Sequence, residues 1–141
     1  MSPSAVGVVG AGTMGAGIAQ IAVLGGMETL LHDPDPKALH QGIDRATSAI
    51  EKGVKRGRWS PEQAVAAQGR LGAAPELEAL AGRELIVEAA PEDLEVKREL
   101  FGRLEAAAGP GTVLATNTSS LSVTAIADAA GRPERIVGMH F

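Results

Sequence analysis

The stretch AVGVVGAGTMGAGIAQ, Ala5 to Gln20, constrains the fold more than any other part of the chain. Its valine-rich start ends in glycine, which predicts a buried strand over Ala5–Gly10. Met14, Ile18, Ile21, Ala22 and Gly25 follow at i, i+4, i+7, i+8 and i+11, the spacing of one helical face. Between the two, Gly10, Gly12 and Gly15 fall in the pattern G-x-G-x-x-G. A strand that turns on glycines straight into a helix is the opening half of a βαβ unit, so its partners should be parallel strands.

The remaining chain repeats that alternation. GGMETLLHD predicts a second strand ending at Asp33, and the segment from Pro34 to Gly57 a long helix with Pro36 near its start. SPEQ, Ser60 to Gln63, has a Ser cap, a Pro at the first helical position and a Gln three residues after the cap, so another helix begins there. ELIVEAA (Glu84–Ala90) predicts a third strand, stopped by Pro91, and Val96, Leu100, Phe101, Leu104 and Ala108 the next helical stripe. GTVLATN predicts a fourth strand, SVTAIADAA a short helix and RIVGMHF a fifth strand. Strands alternating with helices make one α/β domain with a doubly wound, mainly parallel sheet. Two Phe, one Trp and no Tyr leave the core to aliphatic residues, as in a sheet clad by helices.

The apolar run from Ala5 to Gly26 has the length of a membrane span, but it lacks a basic leading segment and its seven glycines make a poor isolated helix. No membrane association is expected. A net charge of −4 and scarce aromatic residues argue against nucleic acid as a partner. The absence of cysteine excludes disulfides and thiolate metal sites, and fits a cytoplasmic setting.

The glycine loop has a mechanical meaning in this context. Gly10 makes the tight turn, Gly12 lets the backbone approach a diphosphate, and Gly15 lets the helix pack against the strand. The free N–H groups at Thr13 and Met14, with the positive end of the helix dipole, then face phosphate charge. Asp33 lies 23 residues past Gly10, where a carboxylate accepts hydrogen bonds from both adenosine ribose hydroxyls. It would repel a 2′-phosphate by about 4 kcal/mol at 4 Å and an effective dielectric constant near 20. With Pro34, Asp35 and Pro36 following and Lys37 the nearest cation, NAD is expected over NADP. The competing reading is a plain strand–helix turn followed by a capping Asp.

Ligands of such sheets lie beyond the carboxyl ends of the strands. Ala89, Ala90, Pro91 and Glu92 follow the third strand, NTSSLS (Asn117–Ser122) the fourth, and His140 ends the fifth. Singly, each has a bland explanation: Glu88 and Glu92 as helix-start carboxylates, NTSS as a capping loop, His140 as a structural histidine. Together they set a hydroxyl, an amide and an imidazole near the nicotinamide end of a dinucleotide.

VGVVGAGTMGAGIAQ, LHDPDP, IVEAAPEDLEVKRELF, LATNTSSLSVTAIA and RIVGMHF resemble, in order and over nearly the whole chain, the NAD-binding domain of the L-3-hydroxyacyl-CoA dehydrogenases, which include the 3-hydroxybutyryl-CoA dehydrogenases. The resemblance implies a Rossmann-type fold and a place in fatty-acid metabolism and β-oxidation. The implied reaction is reversible oxidation of an (S)-3-hydroxyacyl-CoA, with hydride passing to NAD. It also implies that Gly10, Gly12, Thr13, Met14 and Gly15 cradle the diphosphate and that Asp33 holds the adenosine ribose. Ala90, Glu92, Lys97 and Asn117 would line the nicotinamide side, Ser119 would hydrogen-bond the substrate oxygen, and His140 would be the general base. An imidazole titrates near neutrality, which suits that role. Lys52 and Lys55 resemble the region that approaches the CoA phosphates, and equally fit a solvated basic helix end. Trp59 is expected to be a packing anchor.

In the family the strand carrying the histidine runs into a helical second domain with acyl contacts, a dimer interface and a glutamate that orients the histidine. By that comparison residues 1–141 form one NAD-binding domain, without the C-terminal helical domain, expected to bind NAD with little turnover; the longer parent would be a homodimer. Three alternatives stand beside this: a dehydrogenase of the β-hydroxyacid or 6-phosphogluconate type, a non-catalytic dinucleotide-binding module, and a bare α/β fold with no ligand.

Overall fold

The computed structural model describes residues 4–91, 93–117, 126 and 136–139. Strands β1 (Ala5–Val9), β2 (Glu28–His32), β3 (Leu71–Ala74), β4 (Leu85–Glu88), β5 (Val113–Thr116) and β6 (Ile136–Gly138) form one sheet in the order β3-β2-β1-β4-β5-β6. Every pairing is parallel: Val8 lies beside Leu31 and Val87, and Glu88 beside Thr116. The order reverses between β1 and β4, which opens a crevice beyond their carboxyl ends.

Helices α1 (Thr13–Leu24), α2 (Pro36–Lys55), α3 (Pro61–Gly69) and α4 (Leu94–Ala107) and a 3-10 turn (Leu77–Leu80) clad the sheet. Because side chains alternate along each strand, neighbouring residues enter opposite layers. Val8, Leu31, Val87 and Ala115 pack with Ile18 and Ala19 of α1 and Leu39 of α2. Val9, Ile86 and Leu114 pack with Leu77, Leu80, Phe101 and Leu104 on the other face. Among the described residues no helix is long and apolar enough to cross a membrane.

The local signals act as their chemistry dictates. Asp35 caps α2 by accepting from the Lys37 N–H, with Pro36 at the first helical position. Ser60 and Gln63 form a reciprocal capping box at α3. Trp59 is the anchor expected of it: its Nε1–H donates to the Ile50 carbonyl at 2.8 Å, and its ring lies over Gly53.

Three expectations need correction. Among the described residues the sheet has six strands rather than five: LGAA (Leu71–Ala74) is an edge strand too short and too poor in β-branched residues to signal itself. The inward face of α1 is Gly15, Ala16, Ile18, Ala19, Ala22 and Val23, while Met14 and Ile21 are 43% and 61% exposed. Small residues win that face because they let the helix sit close on the sheet. In α4, Val96 is 47% exposed and Lys97 takes the inward position, 1% exposed, for an electrostatic reason described below. The expected helix over Ser122–Ala130 lies outside the described residues except for Ile126, which is helical and buried.

Candidate dinucleotide site

The glycine loop is built from the backbone outward. Gly10 has φ +101°, and a Cβ there would lie 2.7 Å from the Ala89 carbonyl oxygen. Its N–H donates to the His32 carbonyl at 2.8 Å, so the loop leaves β1 hooked onto the end of β2. At Gly15 a Cβ would fall 1.6 Å from the Gly10 carbonyl oxygen, so the first turn of α1 rests directly on the turn below it. Gly12 differs from both. Its φ of −75° suits any residue, and a Cβ there would meet nothing within 4 Å. The described residues place no demand for glycine at position 12; a ligand lying over the loop would.

Gly12 is also the N-cap of α1, and no side chain caps that helix. The first N–H groups, at Thr13, Met14 and Gly15, therefore have no intrahelical acceptor and, among the described residues, no side-chain cap. Thr13 and Met14 are exposed there. This is an anion-binding terminus, with the dipole favouring negative charge.

Asp33, partly buried directly after β2, faces the same loop. Its Oδ2 accepts from the Ala11 N–H at 2.9 Å and its Oδ1 from the Asp35 N–H at 2.9 Å. The cap of α2 is Asp35, not Asp33, which removes the alternative of Asp33 as a helix cap. Each Asp33 oxygen keeps acceptor capacity for a further donor, such as a sugar hydroxyl. The donor set and the open cradle fit a dinucleotide.

Across the crevice, Glu88 ends β4 with no exposed surface. Its Oε2 accepts from the Ala90 N–H at 2.6 Å and lies 3.1 Å from Lys97 Nζ, while its Oε1 accepts from the Thr116 hydroxyl. The helix-start reading of Glu88 is thus wrong: Asp93 caps α4, accepting from the Glu95 and Val96 N–H groups. The buried carboxylate turns α4 so that Lys97, not Val96, faces inward. A charged residue inside the hydrophobic run LIVE was the sequence signal for this, since carboxylates are seldom fully buried without a partner.

The structure brings Gly10, Gly12, Thr13, Met14, Gly15 and Asp33 together on one side of the crevice. Ala90 and Asn117, both partly buried, follow β4 and β5 on the other, and the Asn117 N–H donates to the Glu88 carbonyl at 2.9 Å. Lys97 reaches this side through Glu88. Lys52 and Lys55 are exposed in the last turn of α2, about 24 Å or more along the helix axis from Pro36 at 1.5 Å per residue, so they do not join this cluster. Glu92, Ser119 and His140 lie outside the described residues.

The family described as 3-hydroxyacyl-CoA dehydrogenase, NAD binding domain, matches residues 5–141. A 3-hydroxyadipyl-CoA dehydrogenase of Escherichia coli is 44% identical over 136 residues, covering 96% of this chain and 29% of its own length. A 3-hydroxybutyryl-CoA dehydrogenase of Bradyrhizobium diazoefficiens is 40% identical, covering 96% and 46%. Among solved structures, a 3-hydroxybutyryl-CoA dehydrogenase from E. coli superposes with a TM-score of 0.94 at 42% identity over 100% of this chain and 30% of the other. The (S)-3-hydroxybutyryl-CoA dehydrogenase of Ralstonia eutropha gives 0.93 at 31% identity, over 99% and 50%. This chain therefore spans half or less of the length of these relatives. With its glycine cradle, its acid after β2 and its strand order, the chain belongs to the NAD-binding domains of the 3-hydroxyacyl-CoA dehydrogenases.

Proposed function

We propose that this domain serves an enzyme that oxidises the 3-hydroxyl of an (S)-3-hydroxyacyl-CoA to a 3-oxo group, reversibly, and that the domain binds NAD by itself. NAD, when bound, supplies the hydride acceptor. Gly10, Gly12, Thr13, Met14 and Gly15 hold the diphosphate through backbone N–H groups, and Asp33 holds the adenosine ribose. Ala90, Glu92, Lys97 and Asn117 frame the nicotinamide side. His140 takes the hydroxyl proton and Ser119 fixes the substrate oxygen by a hydrogen bond. Lys52 and Lys55 are available to CoA phosphates from the far end of α2. The same proposal takes residues 1–141 as one cofactor domain in a cytoplasmic setting, which the lack of cysteine fits.

Gly12 is the observation that carries NAD binding: an unhindered glycine at an uncapped helix start, with a carboxylate 2.9 Å from the preceding N–H, that of Ala11. Calorimetric titration tests it. Wild type should bind NAD and discriminate against NADP by roughly 100-fold or more, since about 4 kcal/mol of repulsion is partly screened. Asp33→Ala should weaken NAD by roughly 10- to 100-fold, the worth of hydrogen bonds to a charged group. Unchanged NAD affinity in that variant would sink the assignment.

A further inference from the structure

Glu88 and Lys97 form a buried ion pair at the crevice, and neither is required by the glycine loop or by Asp33. Such a pair adds little net stability, because desolvating two charges offsets their attraction; apolar residues of similar volume do as well or better. The partners of Glu88 show what the pair does instead. One carboxylate ties together three separate elements: the backbone after β4 at Ala90, the end of β5 at Thr116, and α4 at Lys97. All three converge on the side of the crevice opposite Asp33. The Glu88 backbone adds a fourth tie, its carbonyl accepting from the Asn117 N–H.

We infer that Glu88 is a positioning residue for the nicotinamide half of the cofactor site. It fixes the turn at Ala90 and the Lys97 ammonium relative to β5 without itself touching the ligand. The adenosine and diphosphate half is held by different residues, the glycine loop and Asp33, which hydrogen-bond to each other and not to Glu88. The two halves are thus held by separate side-chain contacts, meeting where the Gly10 backbone lies against Ala89 and Ala90. A defect at Glu88 should be felt by a ligand that fills both halves and not by one that fills only the adenosine side.

This rests on the proposed NAD binding, and ADP separates the two. ADP carries the adenosine and diphosphate but no nicotinamide riboside. Both ligands are titrated by calorimetry into wild type, into Glu88→Gln, and into the double variant Glu88→Leu/Lys97→Met, which leaves no buried charge unpaired. Glu88→Gln should weaken NAD by roughly tenfold or more, as expected for losing charge-assisted hydrogen bonds. ADP affinity should move by less than about twofold. The double variant should melt within a few degrees of wild type and show the same split between NAD and ADP. Equal losses for NAD and ADP, or unchanged NAD affinity in either variant, would overturn the inference. So would failure of the double variant to fold, because the pair would then be holding the domain rather than the groove. If wild type bound neither ligand, the NAD assignment itself would fall first.

Discussion

Gly15→Ala would place a methyl carbon 1.6 Å from the Gly10 carbonyl oxygen. Carbon–oxygen contacts settle near 3.3 Å at the closest, so α1 and the loop would have to part by about 1.7 Å. That exceeds the tolerance of a hydrogen bond, whose donor–acceptor distance spans only about 2.7–3.2 Å. Losing two phosphate-facing N–H bonds at roughly 1.5–3 kcal/mol each weakens NAD by about 3–6 kcal/mol, or roughly 100- to 20,000-fold. Forcing the methyl into packed backbone should also lower stability by about 1–3 kcal/mol. Gly12→Ala is the matched comparison. Its methyl would meet no atom of the described residues within 4 Å, and the backbone there is unstrained, so stability should fall by no more than about 1 kcal/mol, the difference between Gly and Ala at an N-cap. Its NAD affinity should nevertheless fall sharply. Thermal melts with calorimetric titration of both variants give the answer. A Gly12→Ala protein that binds NAD like wild type would show that no diphosphate lies over that position.

Two further tests address the scaffold. Gly53→Ala would put a methyl 2.0 Å from the Trp59 ring and expel it, breaking the bond to the Ile50 carbonyl; a loss of about 1–3 kcal/mol should remain despite the gain of about 1 kcal/mol in helix propensity. Trp59 is the only tryptophan, so its emission should shift to the red, and unchanged emission with unchanged melting would refute the packing assignment. On the surface, the hydrogen bond from Arg103 holds the Glu78 carboxyl below its ordinary pKa. A depressed folded value means the contribution is present above the unfolded pKa and lost as pH falls through the folded one. Glu78→Gln should therefore melt slightly lower than wild type at neutral pH, with the gap closing in acid and in high salt. A gap that widened in acid would contradict the sign.

Much of this was legible because each signal carried its own geometry. G-x-G-x-x-G between a valine-rich strand and a helix specifies both the turn and the uncapped terminus, and Ser60–Gln63 specifies its helix start. Periodicity failed where it was degenerate. Helix α1 is apolar on almost every side, so only contact with the sheet decides that Ile18 turns in and Ile21 out. It failed again in α4, where Val96 and Lys97 compete for one position and Glu88, on a different element, settles the matter. LGAA lacks any strand signature because it is recruited by the edge of β2, through the pairing of Leu71 with Thr29, rather than by its own preference.

Strand β1 meets its two neighbours on very different terms. Ala5 pairs with Glu28 nearby in the chain, whereas Val6 pairs with Leu85, far downstream. Loop-closure entropy makes the first contact quick and the second slow, so the half ending at β3 can organise before the half beginning at β4 arrives. The crevice exists only once both have docked. A dinucleotide lying across it would act as a clasp between early and late folding units, adding stability in proportion to RT ln(1 + [L]/Kd). Amide exchange at the β1–β4 seam should then slow with added NAD more than exchange at the β2–β3 edge.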